Sequence, residues 1–271
     1  MQSHYIYHKN STIHYRQFGI GPKLLFCFHG YGRESFTFSF LERRLGSTFT
    51  IIAIDIPHHG LTEWNDELTF KPIYLTQFLL NIRKRLKREN MNFSLLGFSM
   101  GGRIALYLTQ LLPDKVERLI LLAPDGLSFN FWRRAGSETW LGSKLLDYTI
   151  NNPGWVQWLI KKAEQWHIIH SSLADFIGYY MQSKEHRKTL YKRWISMKMF
   201  NPSLSKLKSL IQKHKIPVRI LFGAFDRVIP HERGERFKEG IDELVTVEVV
   251  KSGHNLLSEV HVGKIAQLIN E

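Results

Sequence analysis

The amino-acid sequence predicts an α/β fold: a mostly parallel central sheet flanked by helices, with an inserted helical cap. Apolar runs of strand length alternate along the chain with segments of helical periodicity, as in folds built from strand–helix units. Most of these runs are apolar at nearly every position, as expected of parallel strands that helices cover on both faces. The alternation stops after Pro124 and resumes near Val218, and this interruption predicts the insertion.

Short apolar runs, each followed by a turn signal, are the predicted strands. The first run alternates apolar and polar residues, so we expect an antiparallel strand at the edge of the sheet. Helices are predicted in the segments SFTFSFLERRLG, LTQFLLNIRKRLKREN and GGRIALYLTQLLPDK, which carry apolar residues at helical spacing. The predicted strands are residues 12–19, 23–30, 50–60, 92–98, 118–124, 218–226 and 245–253.

The insertion is predicted to be a helical cap over residues 127–214, with residues 1–126 and 215–271 forming the α/β core. A structureless connection of this length is uncommon inside a compact domain. The segment NNPGWVQWLIKKAEQWH has a helix start signal in Asn152-Pro153, and its tryptophans fall on one helical face. Tryptophans on such a face are usually packing anchors, and they are also candidates for lining an apolar pocket.

The chain is basic, with a formal net charge of +13, and most of the excess falls in the predicted cap. Residues 127–215 contain 15 Lys and Arg against 5 Asp and Glu. A basic, aromatic segment is compatible with nucleic acid, an anionic membrane surface or an acidic ligand. Because the cations are interleaved with apolar residues at helical spacing, a solvated helix face is favoured. No nucleic-acid motif is present, so we predict no nucleic-acid partner.

The pattern Gly97-Phe98-Ser99-Met100-Gly101 lies between a predicted strand and a predicted helix. A serine on such a sharp turn projects its hydroxyl from the end of the sheet, and its neighbours two positions away must be small. The helix that follows brings its N-terminal N–H groups and the positive end of its dipole towards the serine. This context predicts that Ser99 is a nucleophile.

A serine hydroxyl needs a general base, and the base needs a third group to orient it. Asp226 and His254 each follow the carboxyl end of a predicted strand, where open α/β sheets form their sites. The chain order Ser99, Asp226, His254 suits a triad on such a sheet. Asp125, at the end of the preceding strand, is a second candidate for the acid, and we favour Asp226.

Acyl transfer develops an oxyanion, which fixed hydrogen-bond donors stabilise. The backbone N–H groups of two residues are the predicted donors: Met100, directly after the nucleophile, and Tyr31, in the motif FHGYG after an early strand. His29 in the same motif is predicted to hold the loop by hydrogen bonds and not to act as a second base.

The motifs FHGYG, DIPHHGLT, GFSMGG, GAFDRVIP and SGHN together resemble the α/β-hydrolase superfamily, and the resemblance covers essentially the whole chain. It implies a mostly parallel sheet, a helical cap after the sixth strand, and catalytic roles for the triad and oxyanion-hole residues named above. The turn DIPHHG has His58 where the family commonly has glycine.

The predicted activity is hydrolysis of a carboxylic ester or thioester through an acyl-enzyme. A serine nucleophile disfavours the haloalkane dehalogenase and epoxide hydrolase branches, which resemble this fold but use an aspartate. Phe98, Arg103 and Arg33 are predicted to contact a small-molecule substrate.

Two alternatives remain open. The segment GFSMGGRIALYL is similar to the nucleophile region of the menaquinone-pathway lyase family that forms 2-succinyl-6-hydroxy-2,4-cyclohexadiene-1-carboxylate. In that family an arginine four residues after the serine, here Arg103, binds a polyanionic substrate, and a basic cap would suit such a ligand. A non-catalytic binding protein on the same scaffold is the other alternative, disfavoured because all three triad positions are filled.

The sequence predicts no cofactor and no metal ion, because its 13 histidines are scattered and show no metal-ligand spacing. The single cysteine, Cys27, lies in the apolar run LLFCF and is predicted to be a buried apolar side chain. Neither a signal peptide nor a membrane span is predicted, and we expect a cytoplasmic location.

Overall fold

A computed structural model describes residues 1–66, 69–128, 139–166 and 171–271 of the protein. These residues form two compact units. One unit contains a sheet and is assembled from three separate stretches of the chain, whereas the other is helical. The first unit comprises residues 1–66, 71–128 and 200–271, and the second comprises residues 69–70, 139–166 and 171–199.

The described part of the first unit contains one sheet of eight strands. The strands are β1 (Gln2–His8), β2 (Ser11–Phe18), β3 (Lys23–Phe28), β4 (Phe49–Ile54), β5 (Phe93–Phe98), β6 (Val116–Leu122), β7 (Val218–Gly223) and β8 (Val245–Val250). Their order across the sheet is β1-β2-β4-β3-β5-β6-β7-β8, and every pair from β4 to β8 is parallel. The mostly parallel sheet predicted from the apolar runs is therefore confirmed.

The edge of the sheet differs from the prediction. β2 is antiparallel to both of its neighbours, as its alternating pattern predicts, but it lies inside the sheet because β1 pairs with its outer side. β1 lies outside the predicted strands because only one of its side chains, Ile6, is buried, so it carries little apolar signal. The two strands are joined through Lys9 and Asn10, and Lys9 has a positive φ of 48°.

Helices flank the sheet and also form the second unit. In chain order they are α1 (Glu42–Leu45), α2 (Pro72–Arg85), α3 (Met100–Leu111), α4 (Trp140–Asn151), α5 (Gly154–Gln165), α6 (Ser171–Met181), α7 (Lys184–Ser196), α8 (Leu204–His214), α9 (Glu232–Lys238) and α10 (Val262–Asn270). Helix α3 packs on β3, β5 and β6 through a largely buried apolar surface. This packing fixes the junction between β5 and α3, where the predicted nucleophile lies.

The core of the first unit is formed by the central strands. Every residue of β4 and β5 is buried, as expected for strands covered on both faces. Cys27 on β3 is fully buried, and burial raises the pKa of its thiol. A protonated, buried thiol is a poor nucleophile, so Cys27 serves as a small apolar side chain.

The second unit consists, in its described part, of α4 to α7 with residues 69–70. The predicted cap extends further, to residue 214, and so includes α8. In the structure α8 belongs to the first unit, where Leu207 and Ile211 are fully buried and the helix packs on α3. None of the described helices is long and apolar enough to cross a membrane.

Candidate active site

Ser99 occupies a strained turn between β5 and α3. Its φ of 52° and ψ of −117° lie outside the regions that residues with a side chain usually adopt. Strain of this kind persists only where neighbouring contacts hold it, and it is concentrated at functional sites. Here the Ser99 N–H donates to the Leu122 carbonyl on β6 (2.9 Å). The Ser99 carbonyl accepts hydrogen bonds from the N–H groups of Gly102 and Asp125, each at 2.9 Å.

Glycine is required on both sides of Ser99 because of close backbone approach. A Cβ on Gly97 would overlap the backbone of the first turn of α3. A Cβ on Gly101 would overlap the carbonyl of Phe28 at the end of β3. The small residues predicted around the serine are therefore needed for a specific reason: they let α3 begin directly against two parallel strands.

The structure brings Ser99, His254 and Asp226 together although they are far apart in the chain. The Nε2 atom of His254 lies 3.0 Å from Ser99 Oγ, and its Nδ1 atom lies 2.7 Å from Asp226 Oδ2. Asp226 follows β7 and His254 follows β8, so the parallel strands deliver both groups to the same edge of the sheet. One imidazole thus connects the serine hydroxyl to a carboxylate.

Asp226 is held as an ionised acceptor. Burial alone raises the pKa of this carboxyl group, but the hydrogen bond with His254 and those from the backbone N–H groups of Ile229 and Val228 outweigh it and lower the pKa. The two backbone N–H groups bond Asp226 Oδ1 at 2.9 and 2.8 Å, which leaves Oδ2 for the histidine. The carboxylate is therefore fixed in both charge and direction.

The loop after β3 lies beside the serine. An added Cβ on Gly30 would come within 3.3 Å of Ser99 Cβ and 2.9 Å of the Phe98 ring, so a larger residue would crowd the hydroxyl. His29 orients this loop. Its Nε2 accepts from the Ile56 N–H (3.2 Å), so its Nδ1 carries the proton and donates to the Gly30 carbonyl (2.8 Å).

This contact, together with a hydrogen bond from the Arg33 N–H to the same carbonyl (3.2 Å), determines the direction of the Tyr31 N–H group. In a trans peptide the carbonyl and the following N–H point in opposite directions, and the chain has no cis peptide bond among its described residues. Because His29 holds the Gly30 carbonyl on one side, the Tyr31 N–H is held on the other. The ring of Tyr31 lies edge-on to His59, with centroids 5.7 Å apart.

A buried carboxylate, Asp55, holds two parts of the backbone: the loop after β3, at Ser35, and the turn after β4, at Leu61. It accepts hydrogen bonds from the N–H groups of Ser35 and Leu61 and from the Nδ1 of His14. Burial by itself raises the pKa of Asp55, but these hydrogen bonds outweigh it and bring the pKa to about 2. In the DIPHHG turn after β4, His58 stands where the family usually has glycine, and its φ of 63° shows that the glycine-like conformation is retained.

A second Ser–His–Asp chain has the same distances. His14 Nε2 lies 3.0 Å from Ser3 Oγ, and His14 Nδ1 lies 2.7 Å from Asp55 Oδ2. Ser3, however, belongs to the extended edge strand β1 and is not followed by a helix. It therefore lacks both the strained turn and the helix N-terminus of Ser99. Hydrogen-bond distances alone do not distinguish the two serines; their backbone surroundings do.

The predicted substrate contacts occupy different positions. The Phe98 ring lies 5.4 Å from the His254 ring, centroid to centroid. Arg33 is exposed and donates to Asn255 Oδ1 at 3.3 Å, one residue beyond the histidine. Arg103, in contrast, is only 4 % exposed and forms an ion pair with Asp125 at 3.5 Å. Arg103 therefore offers little accessible surface to a substrate.

Asp125, the competing acid, is thus engaged with Arg103, and His254 is bonded to Asp226. The sequence does not predict the Arg103–Asp125 pair, because each residue has another interpretation there: Arg103 as a substrate contact and Asp125 as a candidate for the catalytic acid. In the structure the N–H of Asp125 bonds the Ser99 carbonyl, so the loop after β6 lies against the start of α3 and brings Asp125 to Arg103.

Comparison with known proteins adds three findings. The sequence profile of the alpha/beta hydrolase fold family matches residues 23–259. The pimeloyl-[acyl-carrier protein] methyl ester esterase of Neisseria meningitidis is 25% identical over 244 residues, which are 86% of this chain and 86% of that protein. The uncharacterized hydrolase YugF of Bacillus subtilis is 22% identical over 240 residues, covering 86% and 84% of the two chains.

Solved structures share the fold. An esterase from Thermogutta terrifontis superimposes with a TM-score of 0.70 at 17% identity, covering 100% of this chain and 97% of that one. The thioesterase domain from the curacin biosynthetic pathway superimposes with a TM-score of 0.64 at 16% identity, covering 100% of this chain and 99% of that one.

Proposed function

This chain belongs to the α/β hydrolase family and is a hydrolytic enzyme, and on that premise we propose that it cleaves a carboxylic ester through Ser99, His254 and Asp226. The observation that carries the proposal is the hydrogen-bond chain of 3.0 and 2.7 Å that begins at a serine on a strained strand–helix turn. The named relative acts on a methyl ester, which supports an ester as the substrate class.

The first half of the reaction forms an acyl-enzyme. Asp226 keeps the proton of neutral His254 on Nδ1, so Nε2 is free to accept the Ser99 proton as Oγ attacks the ester carbonyl. The negative charge then develops on the carbonyl oxygen. We assign its stabilisation to the N–H groups of Met100 and Tyr31, assisted by the N-terminal dipole of α3.

His254 then donates its newly acquired proton to the leaving alkoxide oxygen, so the alcohol departs, Ser99 keeps the acyl group and the acyl-enzyme is complete. The second half of the reaction releases the acid. A water molecule then gives a proton to His254 as it attacks the acyl carbonyl, and collapse of the second tetrahedral intermediate returns that proton to Ser99. Asp226 remains ionised throughout and stabilises the imidazolium that forms twice.

A lyase acting on a polyanion is not favoured by the described residues. That alternative uses Arg103 together with arginines of the cap as substrate ligands, and Arg103 is buried and paired with Asp125. We also propose that the second, helical unit serves this core as a cap, because residues 139–166 and 171–199 are inserted between β6 and β7.

The ester assignment is tested with p-nitrophenyl esters of increasing acyl length and a thioester matched to the best of them. We expect turnover of at least one ester, and the length optimum measures the acyl site. Turnover of the thioester alone would reassign the substrate class. An enzyme inert towards every ester and thioester would contradict the proposal.

His29 provides a test of the oxyanion hole. We expect His29→Leu to lower kcat about tenfold with little change in KM, because the Gly30–Tyr31 peptide loses the shorter of the two hydrogen bonds that orient its N–H and keeps the one from Arg33. His29→Asn is the matched variant, since its amide can still donate towards the Gly30 carbonyl, and it should recover part of the loss. A folded His29→Leu protein with wild-type kcat would remove this positioning role.

A further inference from the structure

Helix α5 exposes its aromatic face to solvent. No residue of this helix is buried, and its large apolar side chains fall on one side at helical spacing. Trp158 is 60 % exposed, and Trp166, which caps the helix, is 69 % exposed. Trp155 and Leu159 complete the same face, which we call the aromatic face of α5. Soluble proteins rarely leave such a surface uncovered unless it meets a partner.

The preceding helix has a similar face. Trp140, Leu141, Leu145 and Tyr148 of α4 are all exposed. The two helices are consecutive, so exposed aromatic and aliphatic side chains recur over residues 140–166. Tryptophans at such spacing usually pack in a core. In the structure Trp140, Trp158 and Trp166 do not, whereas Trp155 lines an apolar cavity with Ile150 and Met181.

Lysines accompany these aromatic residues. The Lys144 ammonium lies over the Trp140 ring, 4.1 Å from its centroid. Lys161 and Lys162 lie on α5, and Lys162 shares the side of the helix that carries the aromatic face, since it is four residues after Trp158. The described residues of the second unit carry nine Lys and Arg against four Asp and Glu. The surface is therefore both aromatic and cationic.

We propose that the aromatic face of α5, with the exposed face of α4, binds the surface of a lipid bilayer that contains anionic lipids. Tryptophan is favoured at the membrane–water boundary because its ring is apolar and its N–H needs a polar partner. Lysine is favoured there because its ammonium group attracts anionic headgroups while its stem lies along apolar surface.

The lysines also favour a bilayer surface over another protein as the partner of this face. The cores of protein–protein interfaces are depleted in lysine, because an ammonium group must lose its hydration there. At a bilayer surface the ammonium stays hydrated beside the headgroups. The binding is peripheral: an amphipathic helix lies in the plane of the interface, in keeping with the absence of a spanning helix among the described residues. The proposal does not rest on the ester chemistry.

The test is co-sedimentation of the full-length protein with vesicles. One set consists of phosphatidylcholine alone, and the other contains phosphatidylglycerol as well. We expect stronger partitioning onto the phosphatidylglycerol vesicles, weakened by added salt because exposed charges are screened. The double variant Trp158→Ser/Trp166→Ser should partition at least about tenfold less, because interfacial binding scales with the apolar area inserted.

Matched variants separate the contribution of the aromatic side chains to vesicle binding from that of the lysines. Tyr7→Ser removes an exposed aromatic ring from the edge strand of the first unit, and it should leave partitioning unchanged. The double variant Lys161→Gln/Lys162→Gln should lose most of the preference for phosphatidylglycerol, about tenfold, while keeping the weaker binding to phosphatidylcholine. All substituted residues are exposed except Lys162, which is half-buried, so each variant is first checked for a wild-type thermal unfolding midpoint.

Two results would overturn the proposal. The first is no partitioning of the wild-type protein onto either set of vesicles. The second is partitioning that the tryptophan variant does not reduce. If that variant also raises KM for a soluble ester, the face serves the substrate, and if it abolishes a concentration-dependent dimer, the face serves a second copy of the chain.

Discussion

Ser99→Ala is expected to lower kcat for ester hydrolysis by about 10⁶-fold. The variant removes the only atom that forms the acyl-enzyme, and neither His254 nor the oxyanion donors can replace it. The fold should be unchanged, because the turn is held by backbone hydrogen bonds that do not involve the hydroxyl. Stopped assays of the best p-nitrophenyl ester, with the thermal unfolding midpoint measured alongside, check both expectations.

Ser3→Ala is the matched control for this experiment. Ser3 is linked through His14 to Asp55 by hydrogen bonds of 3.0 and 2.7 Å. Ser99 is linked through His254 to Asp226 by hydrogen bonds of the same lengths. It stands on an extended strand without a following helix, so we expect the Ser3→Ala enzyme to retain full turnover. If Ser99→Ala stays active and Ser3→Ala does not, the nucleophile has been assigned to the wrong serine.

Asp226→Asn is expected to lower kcat by about 10⁴-fold with a smaller change in KM. An asparagine amide can donate to His254 Nδ1, which would place the imidazole proton on Nε2, facing Ser99. The ring could then no longer accept the serine proton, and the imidazolium would also lose its counter-charge. The measurement is kcat and KM across the pH range in which the wild-type enzyme is active.

Asp125→Asn tests the other acid in the same assay. Its carboxylate pairs with Arg103, so the substitution should affect stability more than turnover. Removing the charge breaks a buried ion pair of the Arg103 guanidinium, which is generally destabilising. A loss of kcat with Asp125→Asn as large as that with Asp226→Asn would contradict the assignment of the acid.

Much of the fold and the site can be predicted from the sequence because they depend on local patterns. The uninterrupted apolar runs identify strands covered on both faces, and these strands are the ones that form the parallel part of the sheet. The glycines at 97 and 101 mark places where backbones approach closely, which locates the turn at Ser99. The strand ends before Asp226 and His254 explain why two distant residues reach one serine.

Other features depend on contacts that sequence patterns do not encode. β1 was missed because pairing with β2, and not burial of its side chains, makes it a strand. Arg103 on α3 pairs with Asp125 on the loop after β6, and nothing in the spacing of either residue reveals the pair. The exposure of the α5 tryptophans could not be predicted either, because helical periodicity identifies a shared face but does not show whether other residues cover it.

The division of the first unit into separate stretches of chain has a consequence for how the enzyme acquires activity. The stretch with Ser99 is synthesised first, and the stretch with Asp226 and His254 follows only after the insertion. Pairing of β6 with β7 joins them, for example Leu119 with Val218. Such non-local pairing slows folding, although the entropy of closing a loop grows only slowly with its length. In the proposed mechanism, a nascent chain therefore cannot activate Ser99 until the insertion has been synthesised and β7 has paired with β6.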